Sequence, residues 1–322
     1  MNKKLIKSGI FCFSLLMAAW CQAASYGEAI VFGDSLSDSG NYFAQFGEMS
    51  MQPYETENVP SEPYAIGGHH FTNGSTWVEN LTRKMHIPKS GHPSEVSPGQ
   101  FRNYAVGRSR AREVLLDDVF NEVNLTTQVD NFLADENNQA PGEALYIIWI
   151  GSNDVADALF ALNPAEIMGA ALQNTFAQIQ RLYIHGARHF LILNMPNFAL
   201  TPRVLDVVSI YPDYIQEILL QNITLASVGY NQALEGNLAF MHSVLPGMDV
   251  INLDVFSIMN DIVANPGTYG LEIVDEACIV PDTQGQVYCS NWGRYLFWDA
   301  QHPTREGHSI IAEQAKMVIE SH

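Results

Sequence analysis

Basic charge is scarce in this chain of 322 residues: 16 Lys and Arg stand against 35 Asp and Glu, a formal net charge of −19. Without a basic stripe to neutralise phosphates, nucleic-acid binding is excluded as a function class, and so is electrostatic adsorption to an anionic membrane. Cysteine is scarcer still, with 4 in all. No set of Cys and His stands at metal-ligand spacing, so neither a metal site nor a cofactor is expected. The adjacent pair His69-His70 lacks acidic or Cys company and reads as a surface feature. Internal repeats, low-complexity tracts and long charge blocks are missing as well, which excludes solenoid and tail-like architectures. What is there is core material: 47% of the residues are apolar and 11% aromatic, enough to bury a substantial interior.

The N-terminal residues stand apart from the rest. Lys3, Lys4 and Lys7 precede an apolar run from Ile10 to Trp20, and small Ala23 and Ala24 follow. That is the layout of a secretory signal peptide over residues 1–24, the apolar run being too short to span a bilayer. Its removal takes away three lysines and no acid, moving the formal charge from −19 to −22. A secreted or periplasmic protein is the expectation, with residues 25–322 forming a single domain. Cys278 and Cys289 would be the cysteines left, and an even pair in an oxidising compartment reads as one disulfide.

Short β-rich runs alternate with longer helical patterns. The runs are Ala29 to Phe32, Tyr104 to Val106, Leu145 to Ile150, Phe190 to Leu193 and Val250 to Leu253. Their near-continuous apolarity suits strands covered on both faces. Between them, Ser75 is placed to cap a helix through Trp77 and Leu81. Asn163-Pro164 reads as N-cap and first helical residue of a helix ending near Gly186. Helical spacing also runs over Tyr214 to Met241, with a break possible at Gly229, and over Thr304 to Ile319. This order predicts a three-layer α/β/α sandwich around a five-stranded parallel sheet. Gln45 to Gly74 and Glu272 to Arg294, rich in Pro, Gly and polar residues, are expected to be loops at one sheet end.

Ligands bind outside the carboxyl ends of strands in such a sheet, so the residues after each run carry the functional signal. Gly33-Asp34-Ser35-Leu36-Ser37-Asp38 follows the first, Gly107 the second and Gly151-Ser152-Asn153-Asp154 the third; Asp299-x-x-His302 stands near the end. A hydroxyl is a poor nucleophile until an imidazole takes its proton, and the imidazole needs a carboxylate to fix its tautomer. Ser35, His302 and Asp299 are the residue types for that chemistry. Asp34 and Asp38 are read as making turn hydrogen bonds, and His308 as packing or capping.

The stretches VFGDSLSDSGN, FTNGSTWVENL, NYAVG, YIIWIGSND and FWDAQHPT, spanning Val31 to Thr304, resemble the GDSL lipolytic family of the SGNH hydrolases. The resemblance implies a flavodoxin-like α/β/α fold and hydrolysis of esters, often of lipids. It makes Ser35 the nucleophile, His302 the general base and Asp299 the orienting acid. The oxyanion hole would be the backbone N–H groups of Ser35 and Gly107 and the side-chain amide of Asn153. Many relatives continue the second block with Gly and Ala, where this chain has Arg108-Ser109-Arg110. Within the family, the pattern is most similar to bacterial secreted phospholipases, lysophospholipases and glycerophospholipid:cholesterol acyltransferases.

The implied substrate is therefore a phospholipid or lysophospholipid acyl ester. Acyl transfer to a sterol or other alcohol, or hydrolysis of small or carbohydrate esters, are the alternatives. Partners would be limited to the lipid substrate, with transient membrane or micelle contact, no nucleic acid, and a monomeric state. Asn194 to Leu200 offers either acyl-binding or core side chains, and the loop closed by Cys278 and Cys289 is expected on the catalytic rim.

Overall fold

A computed structural model describes residues 26–47, 69–113, 123–159, 161–282 and 285–322. The expected signal peptide, residues 1–24, and most of the Gln45 to Gly74 segment lie outside the described residues.

Four parallel strands form the central sheet in sequential order: β1 (Ala29–Gly33), β2 (Leu145–Trp149), β3 (His189–Leu193) and β4 (Asp249–Leu253). Every residue of β1 and β2 is buried, as unbroken apolar runs require, whereas β4 at the edge is partly exposed. Burying side chains such as Trp149 and Phe190 contributes roughly 1.5–3 kcal/mol each.

The expected fifth strand is not one. Residues 102–106 do lie along β1, with Tyr104 N–H on Val31 O at 2.8 Å and Val106 N–H on Gly33 O at 3.2 Å. Their far side meets both backbone and side-chain partners: Ser94 N–H donates to Asn103 O at 2.8 Å, and Asn103 N–H to His92 O at 3.1 Å. Asn41 Nδ2 donates to both Asn103 O (2.7 Å) and Ala105 O (2.8 Å). Asn103 turns inward to Ser37 O and Ser39 Oγ. The ladder to β1 is cut short because Gly33 N–H, which would extend it, donates instead to Gln128 Oε1 at 2.9 Å, leaving one bridge, Val31↔Asn103. The segment nonetheless puts the sheet's topological switch at β1, because the chain crosses to its other side before entering β2.

The helices are α1 (Asn41–Phe46), α2 (Trp77–Lys84), α3 (Leu125–Asp135), α4 (Ser152–Leu159), α5 (Pro164–Ile184), α6 (Pro202–Ser209), α7 (Asp213–Val244), α8 (Val255–Ala264) and α9 (Arg305–Ser321). α2 packs on α9 as one layer, while α3, α4 and α7 pack on α5 as another. Thr76, not Ser75, caps α2, because Thr76 and Glu79 complete a reciprocal capping box. α7 runs unbroken through Gly229, where a helical face bears only the modest glycine propensity cost. Glu272 to Arg294 is more than loop: β5 (Ile273–Ala277) pairs with β8 (Tyr295–Phe297), and β6 (Ile279–Asp282) with β7 (Gly285–Tyr288). Cys278 and Cys289 are disulfide-bonded beside that hairpin. Cys278 N–H donates to Phe297 O and Ile279 N–H to Trp298 O, so the cross-link braces the strand that leads into Asp299.

Candidate active site

Three chain segments converge at the carboxyl end of β1. The turn after β1 carries Ser35, which is buried and keeps its side chain in reach of the loop between β8 and α9. That loop is shaped by Asp299. Its Oδ1 accepts the backbone N–H of Gln301 (2.9 Å) and of His302 (2.7 Å), folding the four residues into an Asx turn. The same carboxylate then receives the ring: His302 Nδ1 lies 2.7 Å from Oδ2 and 2.9 Å from Oδ1. Facing a carboxylate, Nδ1 carries the proton, which leaves Nε2 as acceptor in the neutral ring. Ser35 Oγ stands 2.8 Å from that Nε2 and donates to it. The three-residue spacing is thus the length at which one aspartate can hold both the turn and the ring.

Buried second partners fix the loop. Thr72 Oγ1 donates to Pro303 O at 2.8 Å, and Asn73 Oδ1 accepts Arg305 N–H at 2.8 Å. Thr304 caps α9. His308 Nδ1 accepts Trp77 N–H at 3.2 Å, tying α9 to α2. Burial pushes the His308 imidazole down to about 3, so it stays neutral and can accept. As expected, His308 packs and bonds within the scaffold. His70, expected at the surface, is buried and pairs with Glu79 at 2.8 Å.

Asp34 and Asp38 make the turn hydrogen bonds expected of them. Asp34 Oδ1 accepts Leu36 N–H at 3.0 Å, and burial raises its carboxyl to about 7 against the pull of that N–H and of His302. Asp38 accepts the N–H groups of Gly40, Asn41 and Tyr42. It also accepts Gly107 N–H at 2.7 Å, which corrects the expectation for Gly107. That N–H is directed at a buried carboxylate rather than toward Ser35. Gly107 has a different requirement, one of space. A Cβ there would stand 2.4 Å from Phe71 Cε2, and Phe71 stacks on His302 with ring centroids 5.5 Å apart.

Asn153 lies in the first turn of α4 and lines the cavity beside Ser35. Its Nδ2 donates to Ser109 O at 2.9 Å, and the amide carries a second hydrogen. Asp154, next to it, carries no signal of its role in the local sequence. It takes the N–H groups of Ala111 and Arg112 and the Arg112 guanidinium, anchoring the segment after Gly107 to α4. Arg110 is held by Asp157 through two bonds of 3.0 and 3.1 Å. The unusual Arg108-Ser109-Arg110 sequence is accordingly a set of ties to the scaffold at Arg110 and Ser109. Arg108 sits in the left-handed region at φ 66° with its guanidinium 5.8 Å from the Tyr42 ring centroid.

The cavity at Ser35 is lined also by Pro196, Phe198, Thr201 and Gln301. Phe198 lines this cavity while also packing against the main core; Met195 is buried in that core and Leu200 packs against a second cluster. Among the described residues no group of three or more His, Cys, Asp or Glu is arranged to hold a metal ion. The site's chemistry is that of a nucleophilic hydroxyl, a base and an orienting acid, beside amide donors.

Comparison with known sequences agrees with that chemistry. The profile of a family described as GDSL-like lipase/acylhydrolase matches residues 30–315. A GDSL esterase/lipase of Arabidopsis thaliana is 26% identical over 320 residues, which cover 88% of this chain and 86% of that protein. Lipase 1 of Photorhabdus luminescens is 24% identical over 366 residues; the match takes in 95% of this chain and 52% of the longer protein. Among solved structures, an alpha/beta hydrolase enzyme from the metagenome of Lake Arreo, Spain, is similar at a TM-score of 0.43 and 15% identity, covering 92% of this chain and 96% of that one.

Proposed function

The chain belongs to the GDSL-like lipase/acylhydrolase family and is a carboxylic ester hydrolase; on that premise we propose that it is an exported serine esterase cleaving acyl esters of phospholipids or lysophospholipids through an acyl-Ser35 intermediate. The observation that carries this reading is the hydrogen-bonded line from Asp299 through His302 to Ser35 Oγ.

In the first half-reaction, Ser35 Oγ attacks the ester carbonyl carbon while His302 Nε2 takes the hydroxyl proton. The carbonyl electrons move onto oxygen, where Ser35 N–H and the Asn153 amide supply donors. As the intermediate collapses, the bond to the leaving alcohol breaks and His302 returns its proton to that oxygen. Water then repeats the sequence on the acyl-Ser35 ester and releases the fatty acid. Asp299 keeps its charge throughout and stabilises the imidazolium.

Zwitterionic headgroups are favoured by charge: a protein at −22 after loss of residues 1–24 is repelled by anionic surfaces. The apolar lining supplied by Pro196 and Phe198 suits the acyl side of the ester. Mass-spectrometric product analysis on mixed lipids, with the Ser35→Ala protein as control, tests this reading. Free fatty acid and a lysolipid or glycerophosphodiester should appear with the wild type alone. A steryl ester formed in the presence of sterol would mark acyl transfer instead, and lipids left untouched while short esters are cleaved would limit the enzyme to small esters.

A further inference from the structure

The cavity at Ser35 is small, about 50 Å³, too little for a lipid acyl chain. A second cavity of about 450 Å³ adjoins it, between α4, the start of α5, α6 and α7. That volume falls in the range of small-molecule sites. The two share three wall residues, Phe198, Thr201 and Gln301, and so abut there.

Resting on the esterase reading, we infer that this second cavity is the acyl-chain site of the enzyme: an unbranched fatty acyl chain, its ester carbonyl at Ser35, passes Phe198, Thr201 and Gln301 and lies among Val155, Leu159, Val204, Val208 and Ile223. The wall is predominantly apolar. The polar side chains of the shared residues are already engaged: Thr201 Oγ1 donates to Phe198 O at 2.8 Å, and Gln301 Oε1 accepts from Arg203 Nη1 at 3.3 Å. An alkyl chain sliding past them strips neither of these hydrogen bonds. At the outer rim Val207 and Tyr211 line the cavity while remaining 43% and 45% exposed. Large apolar side chains left at such a rim suit a lipid-facing mouth. The exposed rim also means that chains longer than the cavity are not stopped by a closed end.

Each methylene taken from water into such a site is worth ~0.8 kcal/mol, roughly a four-fold gain in kcat/KM per methylene until the cavity is filled. The test is the chain-length profile of p-nitrophenyl esters from butyrate to palmitate on the wild type, Ala226→Phe and Leu219→Trp. Both positions line the cavity from α7, and neither touches Ser35, Asp299 or His302. Filling the space should leave butyrate turnover within about two-fold of wild type. Turnover of esters of ten carbons and more should fall at least ten-fold, moving the optimum to shorter chains. If one variant loses its butyrate activity or its melting transition, the profile of the other decides. If both keep the wild-type profile, the acyl chain lies elsewhere and the esterase reading still stands. Should the wild type cleave no ester of any length, the esterase reading falls and the acyl site with it.

Discussion

The ring of Phe71 stacks on the imidazole of His302, with centroids 5.5 Å apart and planes inclined by 28°. Phe71 can lie there because residue 107 has no side chain: a Cβ would meet Phe71 Cε2 at 2.4 Å. Gly107→Ala keeps the backbone N–H and adds only this collision. Overpacking of this kind costs about 1–3 kcal/mol, so the variant should melt lower, and kcat should fall as Phe71 is pushed against the imidazole. Phe71→Leu in the same chain should recover part of both losses. A double-mutant cycle on melting temperature and kcat checks the coupling; strict additivity would show that the two residues act independently.

Asn153 presents its side-chain amide beside Ser35 while holding Ser109 O. Asn153→Ala should lower kcat by about 10²–10³ and leave KM nearly unchanged, since the donor acts on the oxyanion more than on the ground-state ester. Steady-state kinetics on a soluble short ester provide the measurement. A raised KM with kcat intact would make Asn153 a substrate-binding residue.

Asp34 links stability to pH. Burial raises its carboxyl from 3.8 to about 7, so the folded protein holds this proton over a range in which the unfolded chain has lost it. The resulting stability is full below about pH 4 and is lost as pH rises through about 7. Between pH 5 and 8 the wild type should lose on the order of 2–3 kcal/mol from this group, a loss absent from Asp34→Asn. Urea denaturation of both proteins across that interval gives the difference; parallel pH curves would remove Asp34 as the cause.

The parts of the molecule that were legible in the sequence are those set by neighbouring residues. Asp299-x-x-His302 is readable because one Asx turn contains both the bond to the backbone and the bond to the ring. β1, β2 and β3 are readable because burial on both faces demands a near-unbroken apolar run. What escaped depends on partners far along the chain. Residues 102–106 fail to become a regular strand because Gln128, 95 residues from Gly33, takes the Gly33 N–H that the ladder would use. The Gly107 N–H turns to Asp38 across 69 residues, and nothing in the local pattern points there. The large cavity was invisible for another reason: Val204, Val208 and Ile223 have the helical spacing of ordinary core residues, and only packing shows that they face a void.

Trapping the acyl group on Ser35 tests the proposed chemistry most directly. Rapid acid quenching of the purified protein during turnover of a p-nitrophenyl ester, followed by peptide mass spectrometry, should find the peptide containing Ser35 heavier by one acyl group. Ser35→Ala should show no such adduct and a kcat lower by at least about 10⁴-fold, and His302→Ala should be similarly impaired. An adduct on another residue, or near-normal turnover by the Ser35→Ala protein, would contradict the assignment of Ser35 as nucleophile.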